Sequence, residues 1–209
     1  MQHNSRIYRR KRVAHEAAEL LYTGQEKEYK QSKIHAAKIL GFNILPKNAE
    51  IAAELDRIAE EREGKTRSKR LIQMRAEALQ LMEILEGFNP LLVGSVWRGT
   101  IHRNSDIDIN ALAQDSQEVI SRLIMAGYKN PKTKTEAIVK KGKRQRSVHV
   151  QFELPSTNEA EIVIRNPQDV NAKVLCEIYG DIIIGLTTQG LVSLLKENPE
   201  KKFVPASTS

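Results

Sequence analysis

The stretch Leu91 to Asn110, LLVGSVWRGTIHRNSDIDIN, decides how the rest of this chain is read. An apolar run, Leu91-Leu92-Val93, stops at Gly94-Ser95; a short segment with Arg98, His102 and Arg103 follows, and then polar and apolar residues alternate from Asp106. Side chains alternate between the faces of a strand, so Asp106 and Asp108 point one way while Ile107 and Ile109 point into a core. Parallel carboxylates on a rigid element suit Mg²⁺, a hard cation that takes oxygen ligands and completes its shell with water and substrate phosphates. Upstream, Gly94 lets backbone approach a phosphate closely, and Ser95 offers a hydroxyl and an N–H, best placed in the first turn of a short helix. Arg98 adds a two-pronged donor for phosphate oxygens.

The order Gly94-Ser95, Arg98-Gly99-Thr100, Ser105-Asp106-Ile107-Asp108 resembles the signature of the DNA polymerase β-like nucleotidyltransferase superfamily, and is similar to CCA-adding enzymes and minimal nucleotidyltransferases. The resemblance covers about Pro90 to Pro167. It implies that the Gly-Ser pair holds a nucleoside triphosphate and that the two aspartates, with a third acid on a later strand, bind two Mg²⁺ ions. Glu161, in Glu161-Ile162-Val163-Ile164-Arg165, matches the third acid, with Glu153 as the alternative. Many members have Asp there, so a glutamate is a departure.

The chain has 209 residues, 40% of them hydrophobic, enough for one large domain or two small ones. Apolar runs are too short to span a bilayer, and the basic N-terminus is not followed by the apolar segment of a signal peptide, so a soluble, cytoplasmic protein with no membrane partner is expected. The single cysteine, Cys176, excludes an internal disulfide and fits a reducing compartment; a place in a strand is expected for it. A net charge of +7 favours a polyanionic partner, while 5% aromatic residues argue against a single-strand binder built mainly on stacking.

The expected fold is α+β: a helical region over 1–88, a mixed-sheet core with flanking helices over 89–167, and a C-terminal hairpin, short helix and tail over 168–209. Four helices should end at Gly24, Gly41, Gly64 and Gly87, with Ile39 in the apolar stripe of the second and Asn48 as N-cap of the third. The basic clusters Arg9-Arg10-Lys11-Arg12 and Lys65, Arg67, Lys69, Arg70 read as a solvated face or as phosphate contacts. Asp115-Ser116-Gln117-Glu118 resembles a capping box before a stripe of Val119, Ile120, Leu123 and Ile124. Three strands, 135–140, 148–154 and 160–165, should follow as a meander. The loop Lys140, Lys141, Lys143, Arg144, Arg146 could steer a polyanionic acceptor. Beyond Pro167, residues 176–184 read as a hairpin on a Gly180-Asp181 turn. Trp97 reads as a core residue or a base-stacking one, and His149 as lying on the polar face of the meander.

The expected activity is transfer of a nucleoside monophosphate from a nucleoside triphosphate to an acceptor hydroxyl, most simply on RNA with a tRNA-like end. Two alternatives stand beside it: nucleotidylylation, such as AMPylation, of a protein or small molecule, and nucleotide or RNA binding without catalysis.

Overall fold

A computed structural model describes residues 2–129, 131–140, 143–169 and 173–205 of the chain. The architecture is α+β: helices α1 (Gln2–Thr23), α2 (Tyr29–Leu40), α3 (Asn48–Glu63) and α4 (Lys65–Ile84) precede a five-stranded mixed sheet with α5 (Gly94–Arg98), α6 (Ser116–Met125) and α7 (Thr188–Glu197) around it. Strands β1 (Leu91–Val93), β2 (Ile107–Leu112), β3 (Lys132–Lys140), β4 (Lys143–Glu153) and β5 (Glu159–Arg165) lie in the order β1-β2-β5-β4-β3. Only the β2–β5 pair is parallel among the described strands. No described helix is long and apolar enough to cross a membrane.

Two apolar cores form. Val13, Ala17, Leu20 and Leu21 of α1 pack with Ala36 of α2 and Ile51, Leu55, Ile58 and Ala59 of α3. The stripe of α4, Leu71, Met74, Ala78, Leu81, Met82 and Leu85, joins the sheet instead, against Ile107, Ile109 and Ile162 and against Leu191 and Leu194 of α7 (Thr188–Glu197). A helix periodicity tells which face is apolar; which neighbour covers that face is a tertiary matter.

Helices α1, α2 and α3 stop before Gly24, Gly41 and Gly64 as the sequence predicts, whereas α4 ends at Ile84 with Leu85 as its C-cap, short of Gly87. Lys47, not Asn48, occupies the N-cap position of α3, where Glu50 accepts the Lys47 N–H at 2.8 Å. Asn48 instead accepts from Lys33 Nζ at 2.9 Å and donates to the Glu177 carbonyl at 3.0 Å. Ile39 and Ile124 are exposed rather than buried. Helix α6 (Ser116–Met125) has Asp115 at its N-cap, where the side chain accepts the Gln117 N–H at 2.9 Å rather than the Glu118 N–H of a capping box, and Val119, Ile120 and Leu123 are buried.

Residues 176–184 do not make a two-stranded hairpin. Leu175 and Ile182 form a single bridge around a turn, Leu186 bridges to Leu92 on β1, and Cys176 sits half-buried in the turn. Polar Glu177, Gly180 and Asp181 break the alternation that a ladder needs. The segment is therefore a strap laid along the short edge strand β1.

Candidate active site

Strand β1 ends at Val93, and Gly94 opens the short helix α5 (Gly94–Arg98) with φ of +69°. A Cβ at Gly94 would lie 1.9 Å from Asp108 Oδ2, so only glycine fits this contact. The hinge from strand to helix is thus packed directly on a carboxylate of β2.

Parallel pairing of β2 with β5 sets Asp108 opposite Glu161 and Ile107 opposite Ala160. The alternation expected from the sequence holds: Ile107, Ile109 and Ala111 are buried, while Asp108 and Asn110 stay half-buried on the other face. Glu161 is held from β4, its Oε1 accepting from Gln151 Nε2 at 2.8 Å and lying 3.2 Å from His149 Nδ1. Glu153 lies one strand farther out, exposed and paired with Glu159. Glu159 is an acid that the sequence reading passed over; it lines the cleft and acts electrostatically on Asp106. Its place two residues before Glu161, on the same strand face, is the signal that could have found it.

Crowding of these acids has a cost. Burial, then the charges of Asp106 and Glu161, push the Asp108 carboxyl well above the ordinary carboxylate range. Burial also raises Asp106, aided by Glu161 and Glu159 and opposed by a hydrogen bond to its own backbone. Among the described residues no group of three His, Cys, Asp or Glu side chains forms a finished metal cluster. Like charges in a half-dry cleft repel, and bringing them to ligand distance requires a cation's own charge.

Arginines from α4 hold the loop that leads into Asp106. Arg70 donates to the carbonyls of His102 at 2.9 Å and Ser105 at 3.0 Å. Arg67 is buried; it donates to the Ile101 carbonyl at 2.7 Å and pairs with Glu60 at 2.6 Å and with Asp56. Ser105 Oγ accepts the His102 N–H at 2.9 Å, closing the loop on itself. His102 is driven down to about 4 by burial and by the nearby Arg70 and Arg67, so its ring is neutral at physiological pH. Half of the cluster Lys65, Arg67, Lys69, Arg70 therefore faces inward as a brace, while Lys65 and Lys69 remain exposed.

Arg98 has its donors engaged. It makes a two-pronged pair with Asp181 at 2.7 and 3.0 Å, donates to the Phe203 carbonyl at 2.9 Å, and lies over the rings of Trp97 and Tyr179. A phosphate would have to compete with Asp181 for it. Trp97 is buried and stacks on Phe203, consistent with a core residue behind the helix. Lys141 lies outside the described residues, as do the side chains of Lys140, Lys143 and Arg144; Arg146 is exposed on β4.

These parts frame a cleft of about 890 Å³. One wall carries Gly94, Ser95, Asp106 and Asp108, a second carries Leu21, Lys27 and Tyr29 from α1, α2 and their connection, and the strap adds Cys176, Ile178 and Tyr179. The strap's part in the site was not visible in the sequence, where its residues read only as packing.

No family model matches the sequence, and no curated protein matches it. Among solved structures the chain is similar to a cytoplasmic RNA terminal U-transferase, with 18% identity and a TM-score of 0.31 over 58% of this chain and 35% of that one. It is also similar to a chain of the GLD-2/RNP-8 complex (15%, 0.32, 59% and 44%) and one of the GLD-2–GLD-3 poly(A) polymerase complex (12%, 0.31, 56% and 40%). The chain thus spans less than half the length of each. At such values the likeness carries no weight on activity, which has to be read from the residues themselves.

Proposed function

We propose that the chain is a metal-dependent nucleotidyltransferase that moves a nucleoside monophosphate from a nucleoside triphosphate to a hydroxyl of an RNA end. The observation that carries this reading is the registered stack of Gly94 on Asp108 and Asp108 beside Glu161. A hinge at the start of a helix that touches the Asp108 carboxylate, with Glu161 opposite on the neighbouring strand, suits a triphosphate held by backbone donors beside bound cations.

Asp106, Asp108 and Glu161 would hold two Mg²⁺ ions; the raised carboxyls of both aspartates fit a site built for added positive charge. Held by these residues, divalent cations would supply a lowered pKa for an attacking hydroxyl and would offset charge on leaving pyrophosphate. Gly94 and Ser95 cradle the triphosphate through backbone N–H groups and the serine hydroxyl. The acceptor oxygen bonds to the α-phosphorus as the bond to the bridging oxygen breaks, and the hydroxyl proton passes to a carboxylate oxygen of Glu161. Gln151 and His149 fix the Glu161 rotamer. Arg98 acts by tying α5 to Asp181 and the tail. RNA as acceptor is supported by the net charge of +7.

Incubation with each α-labelled NTP and Mg²⁺, with and without RNA, tests the proposal. Label on RNA that is lost in Asp106→Asn supports it. Label on protein points to nucleotidylylation, and binding without transfer to a non-catalytic module; either result overturns it.

A further inference from the structure

The positive charge of this chain is concentrated at one end. Residues 1–47 hold ten Lys and Arg against four Glu, a net +6 of the whole chain's +7. Two of those acids are engaged within the fold: Glu19 pairs with Arg62 at 2.6 Å and Glu26 with His35 at 2.9 Å. Arg10 of α1 pairs with Glu50 at 3.0 Å, but other cations on the outer faces of α1 and α2 are not neutralised in this way. Arg9, Arg12, Lys30 and Lys38 are exposed and form no ion pair among the described residues.

Their surroundings are aromatic and open. The Arg9 guanidinium lies 5.7 Å over the Phe42 ring, and Arg12 donates to the Tyr8 hydroxyl at 3.3 Å. Tyr8 is 59% exposed, so a ring face remains for a flat ligand. Lys30, Ile34 and Lys38 form one exposed stripe of α2 at a spacing of four. Cations on a helical pair with an exposed aromatic among them suit a sugar-phosphate strand, whose phosphates take the charges and whose bases take the ring.

The same two helices end at the cleft. Leu21 and Gly24 at the end of α1 and Tyr29 at the start of α2 line it. From Leu21 back to Arg9 the helix rises roughly 18 Å. That distance corresponds to about five stacked nucleotides.

We propose that the outer face of α1 and α2 is the docking surface for single-stranded RNA, with its 3′ end directed into the cleft. The direction of the strand rests on the nucleotidyl-transfer reading; the docking itself does not. Phosphates a few nucleotides from the 3′ end meet Arg9, Arg12, Lys30 and Lys38, and a base lies against Tyr8.

Binding is measured by anisotropy with 5′-labelled single strands of about 12 and about 4 nucleotides in EDTA, without NTP, across a salt series. Wild type should prefer the longer strand. Arg9→Glu/Arg12→Glu/Lys38→Glu should lose on the order of tenfold in affinity, with the slope of log affinity against log salt smaller by about 2. Lys129→Glu/Lys173→Glu/Lys196→Glu removes the same charge from exposed positions elsewhere and should stay within about twofold. Arg9→Gln/Arg12→Gln repeats the test should the reversal variant melt early. Equal losses in the two triple variants, no loss in the first, or a wild type that binds no RNA and crosslinks to a protein through this face would overturn the inference. RNA extension with unchanged binding by the first triple variant would remove the docking surface and leave the activity standing. Salt-dependent binding lost in that variant, with no NMP transfer by wild type, would do the reverse.

Discussion

Replacing Asp108 by asparagine should make the metal-free protein more stable and the metal-loaded protein less so. Burial and the facing charges of Asp106 and Glu161 hold the Asp108 carboxyl well above the ordinary range. A carboxyl whose folded pKa exceeds its unfolded one binds its proton more tightly when folded, so stability is lost as pH rises from the unfolded value through the folded one. Every unit of that rise costs about 1.4 kcal/mol once both states are ionised. Asparagine keeps the shape and drops the charge. In a chain of about this size each kcal/mol moves the melting midpoint by about 2–4 °C, so Asp108→Asn should melt several degrees above wild type in EDTA near pH 8. The gap should shrink toward acid pH, as wild type takes up its proton. With Mn²⁺ or Mg²⁺ added the order should reverse, because the cation rewards the three-carboxylate set and finds one ligand missing in the variant. Differential scanning fluorimetry over a pH series, with chelator and with metal, reads all of this. Should Asp108→Asn melt below wild type in EDTA at every pH, or shift with metal as much as wild type does, the repulsive-triad reasoning fails.

Gly94→Ala should abolish NTP binding and lower stability by about 1–3 kcal/mol, since it combines a left-handed backbone with a Cβ placed 1.9 Å from Asp108 Oδ2; calorimetry with a non-hydrolysable NTP and a thermal melt check it. Arg70→Met should lower kcat and weaken the Mn²⁺-induced melting shift with little change in RNA affinity, because it strands the His102 and Ser105 carbonyls at a cost of about 1–3 kcal/mol; equal RNA binding with normal kcat would refute it. His102 should stay neutral down to about pH 4 by NMR, and, its folded pKa being depressed, its contribution to stability should be lost as pH falls from about 6.5 toward that value. Asp181→Asn should cost about 1–3 kcal/mol by leaving the buried Arg98 short of its partner, below the usual value for a buried pair because Asp181 is about one-third exposed; chemical denaturation measures it.

What could be read from the sequence was what is local. The alternation through Ile107, Asp108 and Ile109, the stop at Gly94-Ser95 and the helix ends at Gly24, Gly41 and Gly64 follow from strand and helix periods and are found in the fold; α4 instead stops at Ile84 with Leu85 as its C-cap, short of Gly87, and Asp106 precedes β2. Where Glu161 and Glu153 stand relative to Asp108 needed the sheet register: the β2–β5 pairing sets Asp108 opposite Glu161, and Glu153 lies one strand farther out. Arg67, Arg70 and Arg75 were out of reach. On a helical wheel they look like a charged face, yet all three turn inward, because backbone carbonyls brought from distant chain are left without helical or sheet partners. Arg98 looked like a phosphate ligand for the same reason in reverse: nothing local announces that Asp181 will meet it from 83 residues away.

Arg75 makes the principle most visible. It is fully buried and forms no ion pair among the described residues, and burial lowers its pKa to about 10, still charged at physiological pH. What compensates it is carbonyl oxygen: Val96 at 3.1 Å and Trp97 at 3.0 Å from α5, Lys201 at 2.9 Å and Pro199 at 2.5 Å from the tail. Helix α5 is too short to satisfy its own last carbonyls, and the described part of the tail beyond α7 has no helix or strand to satisfy those of Pro199 and Lys201. One guanidinium serves both, and Arg98 repeats the device one turn on, joining α5 to Asp181 and to the Phe203 carbonyl. The helix that begins at Gly94 is thus anchored at its far end by two buried cations, with strap and tail closing over them. Its N-terminal turn, facing Asp108, is the part left open toward the cleft.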